Sequence, residues 1–285
     1  MRYIRKCFES TTRRSVYRIY PIGDLHVGAK ACNEKLLKRW VRKVRDDPDG
    51  YWIGMGDYID AIGPKDPRWG SSSLADWIGI EDLLDVCAAQ TERFYTITDP
   101  IADKCLALVE GNHERVIRKH YERDIYREIV YRVKQRAGLP ADTNLALGYY
   151  GWMHLIFRRK TGGAKSSRIV TFNIHHGYTG GRLAGAKALN MQRWLFTHDC
   201  DVALMGHSHN CGVQIEATES LNRTGTVLVK RKLGCFTGTF LGGGGDGDTY
   251  SEVKGYLPMP TAALYIEIHP LTIDDGPRIT AHAAI

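Results

Sequence analysis

Short apolar runs alternate with stretches of helical spacing along the first 145 residues of the chain. The apolar runs predict strands at residues 16–22, 51–55 and 105–109. After the first strand, Leu36, Leu37, Trp40, Val41 and Val44 recur on one face of a helix that Asn33 would cap. The same spacing predicts a helix at residues 83–95 and one long helix at residues 114–136. This half therefore follows a β–α–β–α pattern.

Strands predominate after about residue 145, with one helix predicted at residues 185–196. The predicted strands cover residues 153–158, 168–174, 202–205, 213–217, 226–233, 264–268 and 278–283. Glycine-rich residues 161–167 predict a hairpin loop, and residues 242–248 predict a mobile surface loop. The two halves together predict an α/β (α+β) fold in which two sheets pack face to face with helices outside. We expect residues 1–285 to form a single domain.

Composition mainly excludes other classes of protein. The chain is 43% hydrophobic and 25% charged, which is typical of soluble globular proteins. No apolar run approaches the roughly 18–20 residues that span a bilayer, and the basic residues 1–14 do not resemble a secretory signal. We therefore expect no membrane association and a cytoplasmic location. Seven widely spaced cysteines without a C-x-x-C pair argue against a disulfide framework and against a cysteine zinc site.

Five predicted strands lead into short polar motifs at their carboxyl ends. The motifs are Gly23-Asp24-Leu25-His26, Gly56-Asp57, Gly111-Asn112-His113-Glu114, His175-His176-Gly177 and Gly206-His207-Ser208-His209. Layered α/β folds build their sites at strand ends, because rigid strands deliver side chains to one edge. Carboxylate oxygen and imidazole nitrogen suit divalent ions such as Mn, Fe, Zn or Ni. Two such ions about 3.5–4 Å apart can share one carboxylate and clamp a phosphoryl group.

The motif order D-x-H, G-D, G-N-H-E, H-G and G-H-x-H resembles that of the calcineurin-like metallophosphoesterases, and the resemblance covers residues 23–209. It implies a four-layer αββα sandwich of two mixed β-sheets flanked by helices. It also implies two divalent metal ions, manganese first among them, and in-line attack on phosphorus by a hydroxide that bridges them. The implied ligands are Asp24, His26 and His209 for one ion, Asn112, His176 and His207 for the other, and Asp57 as the bridge. His113 would stabilise or protonate the leaving oxygen.

Three neighbouring residues have more than one interpretation. The family pattern places the ligand directly before glycine, which favours His176 over His175 and leaves His175 a supporting role. Glu114 and Arg115 follow the third motif, where they could support the site or orient a phosphate. An ordinary role at the start of a helix explains them equally well.

Some of the motifs resemble one branch of this family and some resemble another. Gly56-Asp57-Tyr58-Ile59-Asp60 resembles the serine/threonine protein phosphatases, but Ala61-Ile62 replace the Arg-Gly that follows in those enzymes. The closing G-H-S-H resembles phosphodiesterases and repair nucleases. Those nucleases carry a histidine three residues after the bridging aspartate, where this chain has Asp60. We predict a phosphodiesterase or nuclease, with a phosphomonoesterase as the alternative and a non-catalytic metal-binding scaffold as the third hypothesis.

Charge favours DNA or RNA as the partner. The formal net charge is +7. Basic residues cluster at Lys35, Lys38, Arg39, Arg42, Lys43 and Arg45, at Arg158-Arg159-Lys160, and at Lys230-Arg231-Lys232. Such clusters could bind a phosphate backbone, although an ordinary solvated surface gives the same pattern. Trp69 and Trp77 could likewise stack on bases or pack beneath a loop.

Overall fold

The computed structural model describes residues 2–10, 14–63, 66, 69–70, 73–121, 123–159, 167–178, 183–242, 260–271 and 276–284. Its strands are β1 (Tyr3–Ser10), β2 (Tyr17–Ile22), β3 (Gly50–Gly54), β4 (Cys105–Val109), β5 (Ala146–Gly148), β6 (Tyr150–Arg159), β7 (Ser167–His175), β8 (Val202–Met205), β9 (Cys211–Leu221), β10 (Val227–Thr239), β11 (Ala262–His269) and β12 (Arg278–Ala284). Its α-helices are α1 (Glu34–Asp46), α2 (Val86–Thr98), α3 (Asn112–Tyr121), α4 (Ile125–Arg136) and α5 (Ala184–Thr197). The predicted loops lie outside the described residues at 161–166 and 243–248.

The strands form two mixed sheets that β10 joins. The first sheet has the order β1-β6-β7-β8-β10 with β9 beside β10, and the second has β11-β2-β3-β4-β5 with β12 beside β11. In the second sheet β2 to β5 run parallel, and in the first sheet β7, β8 and β10 run parallel. The sheets meet where Gly238 and Thr239 of β10 pair with Ala263 and Ala262 of β11.

Three apolar clusters fill the spaces between the layers. Ile19 and Ile53 of the second sheet pack against Phe157 and Phe172 of the first, so the main core lies between the sheets. A second cluster joins the outer face of the second sheet to helices α1 to α4. Met191 and Leu195 of α5 cover the outer face of the first sheet. The predicted sandwich of two mixed sheets flanked by helices is confirmed.

The predicted helix at residues 114–136 is wrong as one element, because two helices occupy that region. Asp124 accepts a hydrogen bond from the backbone of Arg127 at 3.0 Å and caps α4, which starts the second helix. Apolar spacing continues across the break, so periodicity alone does not reveal it. Strand β1 was also not predicted; its Ile4 and Phe8 face the inter-sheet core although the segment is basic and polar.

One predicted basic cluster is not a surface cluster. Lys232 is buried and donates to the carbonyl oxygens of Leu195 and His198, while Lys230 pairs with Asp199. The basic residues of α1 are exposed as predicted, and Arg158 and Arg159 are exposed as well, whereas Lys160 lies outside the described residues. Trp77 packs against the core beneath Arg93. Among the helices that the structure describes, none combines the length and the hydropathy needed to cross a bilayer.

Candidate metal centre

The five polar motifs meet at one edge of the sandwich. Parallel strands β2, β3 and β4 end side by side in the second sheet, and parallel strands β7 and β8 end side by side in the first. Each motif begins within two residues of the end of its strand, so the carboxyl ends deliver all of the predicted site residues to the same edge. Six of these side chains form two groups in which potential ligand atoms lie within 4.8 Å of one another.

Asp24, His26 and His209 form the first group. The Nε2 atoms of His26 and His209 are 3.3 Å apart, and the Nε2 atom of His209 is 3.6 Å from Oδ1 of Asp24. One potential ligand atom from each residue lies within 4.8 Å of the others. Asp24 and His26 are buried, whereas His209 is partly exposed. The group therefore opens to solvent on the side of His209.

Asp57, His176 and His207 form the second group, again with ligand atoms within 4.8 Å of one another. The Nε2 atom of His176 lies 3.4 Å from Oδ2 of Asp57 and 2.9 Å from Oδ1 of Asn112. The same Oδ2 atom is 3.9 Å from Nε2 of His26 in the first group. Asp57 thus lies between the two groups, and Asn112 belongs to the second.

Hydrogen bonds select the histidine tautomers that a cation needs. The Nδ1 atom of His176 lies 2.7 Å from the carbonyl oxygen of Met55, so Nδ1 carries the proton. The Nδ1 atom of His26 lies 3.3 Å from Oδ1 of Asp60. In both rings Nε2 points into the site, where its lone pair would bind a cation in place of a proton. Metal-binding histidines commonly use this arrangement, in which a carbonyl or carboxylate holds the far nitrogen.

The two buried aspartates have only imidazoles as charged partners. No lysine or arginine of the described residues forms an ion pair with Asp24 or Asp57. Burial, with the neighbouring Asp57, raises the pKa of Asp24 to about 8. Burial also acts to raise the pKa of Asp57, but attraction to His176 and His113 outweighs it and lowers that pKa well below its usual value. A donor set of this kind fits divalent cations, which would supply the missing positive charge.

The pKa values of His176 and His207 shift in opposite directions. Burial alone would lower the pKa of His176, but the Asp57 carboxylate raises it to about 10. His207 has no comparable partner, and burial together with His176 lowers its pKa to about 4. A neutral His207 is ready to donate a lone pair at neutral pH.

Glu114 holds two of the site loops together. Its carboxylate is fully buried and accepts hydrogen bonds from the backbone of Gly111 (3.0 Å), Asp57 (3.1 Å) and Tyr58 (2.7 Å). The loop after β3 and the loop after β4 are therefore tied to one side chain at the start of α3. Glu114 therefore has both of the roles that the sequence left open, since the bonds from Asp57 and Tyr58 support the site and the bond from Gly111 caps the start of α3.

His113 and Asp60 lie beside the first group. The Nδ1 atom of His113 is hydrogen-bonded to the carbonyl oxygen of Asp60, and the His113 ring lies edge-on to His26, with ring centroids 4.6 Å apart. The backbone of His113 also donates to Oδ1 of Asp57 at 3.0 Å. Asp60 holds His26 through its carboxylate and His113 through its carbonyl. In the sequence Asp60 stands out only as a departure from the nuclease pattern, and no spacing indicates this role.

Five of the seven predicted ligands have left-handed backbone conformations. The φ angles are 49° for Asp24, 49° for His26, 50° for Asp57, 62° for His207 and 55° for His209. For a residue with a β-carbon this region costs about 1–2 kcal/mol. Such strain concentrates at functional sites, where the surrounding structure imposes it. Here the backbone of Asp24 donates to Gly56, and the Asp24 carboxylate accepts the backbone N–H of His207 at 3.0 Å.

His175 and Arg115 flank the second group. The Nδ1 atom of His175 accepts the backbone N–H of Gly177 at 2.7 Å, so this side chain supports the turn after β7 rather than joining the groups. Arg115 is exposed and lies over the ring of Tyr149, 5.4 Å from the centroid. The Tyr149 ring is edge-on to His176, with ring centroids 5.2 Å apart. Arg115 therefore sits at the solvent side of the site.

Comparison with known proteins gives one family and a set of distant structures. The family model for calcineurin-like phosphoesterases matches residues 17–211. Vacuolar protein sorting 29 from Cryptosporidium parvum is 15% identical over 94% of this chain and 98% of its own, with a TM-score of 0.38. A metallophosphoesterase from Sphaerobacter thermophilus is 14% identical over 94% and 88%, with a TM-score of 0.35. NAD nucleotidase from Haemophilus influenzae is 10% identical over 93% and 49%, with a TM-score of 0.36. No curated protein matched the chain.

Proposed function

The chain belongs to the calcineurin-like phosphoesterase family and is a metal-dependent phosphoester hydrolase, and we propose that its substrates are phosphodiesters of nucleic acids or nucleotides. The observation that supports the reaction is the pair of ligand groups on either side of Asp57. The substrate class is supported by the formal net charge of +7 and by the exposed basic face of α1.

We assign Asp24, His26 and His209 to one divalent cation, and Asn112, His176 and His207 to a second. Asp57, between the groups, would contact both. Manganese is the first choice, and iron, zinc or nickel would accept the same mixture of oxygen and imidazole ligands. When bound, the cations would supply Lewis acidity to the phosphoryl oxygens and a nucleophilic water at neutral pH.

The chain's own residues would orient the substrate and move a proton. Asp57 is held by the backbone N–H of His113, and its loop is held by Glu114. His113 is fixed through Nδ1 to the carbonyl of Asp60, so that in its imidazolium form Nε2 would donate a proton to the leaving oxygen. Arg115, exposed at the edge of the site, would contact a substrate oxygen outside the metal centre.

A phosphomonoesterase is the second candidate. The segment from Gly56 to Asp60 resembles protein phosphatases, and Asp60 stands where repair nucleases carry a histidine.

Under either function we treat residues 1–285 as one domain, which is supported by β1 in the first sheet and β12 in the second. A cytoplasmic location stays a prediction.

The deciding experiment measures hydrolysis by metal-stripped protein after adding back Mn, Zn, Ni or Mg. The substrates are bis-(p-nitrophenyl) phosphate, p-nitrophenyl phosphate, and labelled single- and double-stranded DNA. The Asp57→Asn variant should lose turnover, whereas Asp103→Asn, the same change at an exposed position, should keep it. Metal-dependent cleavage of the diester and of DNA supports the proposal. Cleavage of the monoester alone favours the second candidate, and tight metal binding without turnover favours the scaffold hypothesis.

His113 can be tested through the leaving group. Nitrophenolate leaves without a proton, whereas the ribose oxygen of a dinucleotide needs one. His113→Gln should therefore slow dinucleotide cleavage by about 10²–10⁴-fold and slow nitrophenyl ester cleavage much less. Equal losses on both substrates would contradict the role of proton donor.

A further inference from the structure

The hairpin formed by β9 and β10 extends beyond the sandwich. The two strands pair from Cys211↔Thr237 to Leu221↔Val227. Strand β8 pairs with β10 only from Leu233 to Phe236. Residues 216–221 and 227–232, here called the outer hairpin, therefore project past the start of β8. Since the metal-centre motif follows the other end of β8, the outer hairpin points away from that centre.

The two faces of this hairpin differ in polarity. Ile215, Leu221, Val227 and Val229 share one face and are 58–70% exposed; we call these four residues the apolar face. Leu233 lies on the same side of β10 and packs in the inter-sheet core. The apolar face is therefore the part of the core-facing side of the first sheet that extends beyond the second sheet. A contiguous exposed apolar surface of this kind is typical of an interaction site.

The opposite face is polar and partly covered by α5. Lys232 reaches the carbonyl oxygens at the end of α5, and Gln192 of α5 donates to Glu216 at 2.9 Å. Leu228 also lies on this face and is 50% exposed. The two faces thus offer neighbouring positions of similar exposure, Val229 and Leu228, with opposite surroundings.

Two opposite charges lie within the apolar side of the hairpin. Glu219 is paired across the strands with Val229, and Arg231 with Ala217, so the charges occupy adjacent rows. Both are exposed, and within the described part of the chain neither forms an ion pair. A two-fold axis lying between two such faces brings Glu219 of one copy towards Arg231 of the other. The face is therefore complementary to a copy of itself, because its apolar residues can meet apolar residues and its Glu219 can meet Arg231.

We propose that the apolar face is a dimer interface and that its occupant is a second copy of this chain. The four apolar side chains of each copy pack against those of the other, and two Glu219–Arg231 contacts flank them. An isologous contact of this kind repeats every interaction twice. Both metal centres stay open to substrate, because they lie at the opposite ends of the two sandwiches. The inference does not depend on the proposed phosphodiesterase function.

Sedimentation velocity of the full chain over a wide concentration range tests the proposal. The expected result is a concentration-dependent species with twice the 32.1 kDa mass of one chain. Val229→Lys should weaken the dimer by about tenfold or more, since the symmetry places two ammonium groups among the apolar side chains and each would draw Glu219 away from Arg231 of the other copy. Leu228→Lys is the matched control on the other face and should leave the dimer unchanged. Circular dichroism confirms that both variants are folded.

A charge exchange makes the test specific for self-association. Glu219→Arg and Arg231→Glu should each weaken the dimer, and the double variant should restore it. A monomeric chain at every concentration overturns the proposal, as does equal weakening by Val229→Lys and Leu228→Lys. Failure of the double variant to restore association also overturns it. A monomer that binds lipid vesicles through Val229 would assign the surface to a membrane instead.

Discussion

Glu114 offers the sharpest test of how the metal centre is held. In the variant Glu114→Gln an amide nitrogen replaces one carboxylate oxygen at nearly constant volume. If the nitrogen takes the place of Oε2, the backbone N–H groups of Gly111 and Asp57 lose their acceptor. If it takes the place of Oε1, only the close 2.7 Å bond from Tyr58 is lost together with a weaker one from Ile59. The second orientation should therefore be adopted.

The magnitude follows from that choice. The buried N–H group of Tyr58 left without an acceptor costs about 1–3 kcal/mol, and loss of the weak 3.4 Å bond from Ile59 adds little. Part of this cost is offset, because burial and the neighbouring Asp57 already raise the pKa of Glu114 to about 7 and the neutral amide removes that penalty. We expect a loss of about 1–2 kcal/mol in the free energy of unfolding. Metal affinity should fall by about 10-fold or more, since the loop that carries Asp57 is held less firmly.

Urea denaturation of metal-stripped protein, followed by circular dichroism, measures the first effect, and titration calorimetry with Mn measures the second. Glu92→Gln makes the same change at an exposed position of α2 and should alter the unfolding free energy by less than about 0.5 kcal/mol. If Glu114→Gln matches Glu92→Gln in both stability and metal affinity, the supporting role assigned to Glu114 is wrong.

Three further changes probe the frame around the site. A β-carbon at Gly111 would lie 2.1 Å from the backbone nitrogen of Asp57, so Gly111→Ala should abolish metal binding in calorimetry, whereas Gly185→Ala, in open space, should not. Lys187→Met removes bonds to Ser208 (3.1 Å) and Asn210 (2.9 Å) and should weaken Mn binding by about tenfold. Burial acts to raise the pKa of Glu34, but bonds from Arg93 and Lys38 outweigh it and lower that pKa. Glu34→Gln should therefore reduce stability to urea at pH 7, and the difference should shrink as the pH falls below the usual carboxyl pKa of about 4.3 and vanish once the pH is below the lowered pKa of the folded state.

The positions of the site residues were predictable because strand ends are readable from sequence. Apolar runs such as residues 202–205 end abruptly at glycine, and the polar residue types that follow are few. The element boundaries confirm this: β4 and β8 begin and end where the apolar runs do. Because these strands run parallel, their carboxyl ends meet at one edge of the sheet, whatever sequence connects the strands.

The roles of the supporting residues were not predictable in the same way. Glu114 and Asp60 act through backbone groups of other loops, and no spacing in the sequence identifies those partners. The break between α3 and α4 was hidden because the apolar spacing continues through it. Lys232 reads as part of a basic cluster, yet it caps the end of α5, a contact between elements more than thirty residues apart. Long-range contacts of polar groups determine the roles of Glu114, Asp60 and Lys232, whereas the local cap at Asp124 starts the second helix.

The site residues are also those that depart most from local rules, and this favours a cation-binding function over a structural one. Asp24 and Asp57 are buried carboxylates in a left-handed conformation, and each feature alone lowers stability. The chain offsets the strain with hydrogen bonds from the backbone N–H of Asp24 to the carbonyl of Gly56 and from the backbone N–H of Asp57 to Glu114. It does not offset the charge with lysine or arginine in the described residues. A fold that needed these positions only for packing would gain stability from apolar residues there. A divalent cation at the proposed site would supply the positive charge that these carboxylates lack.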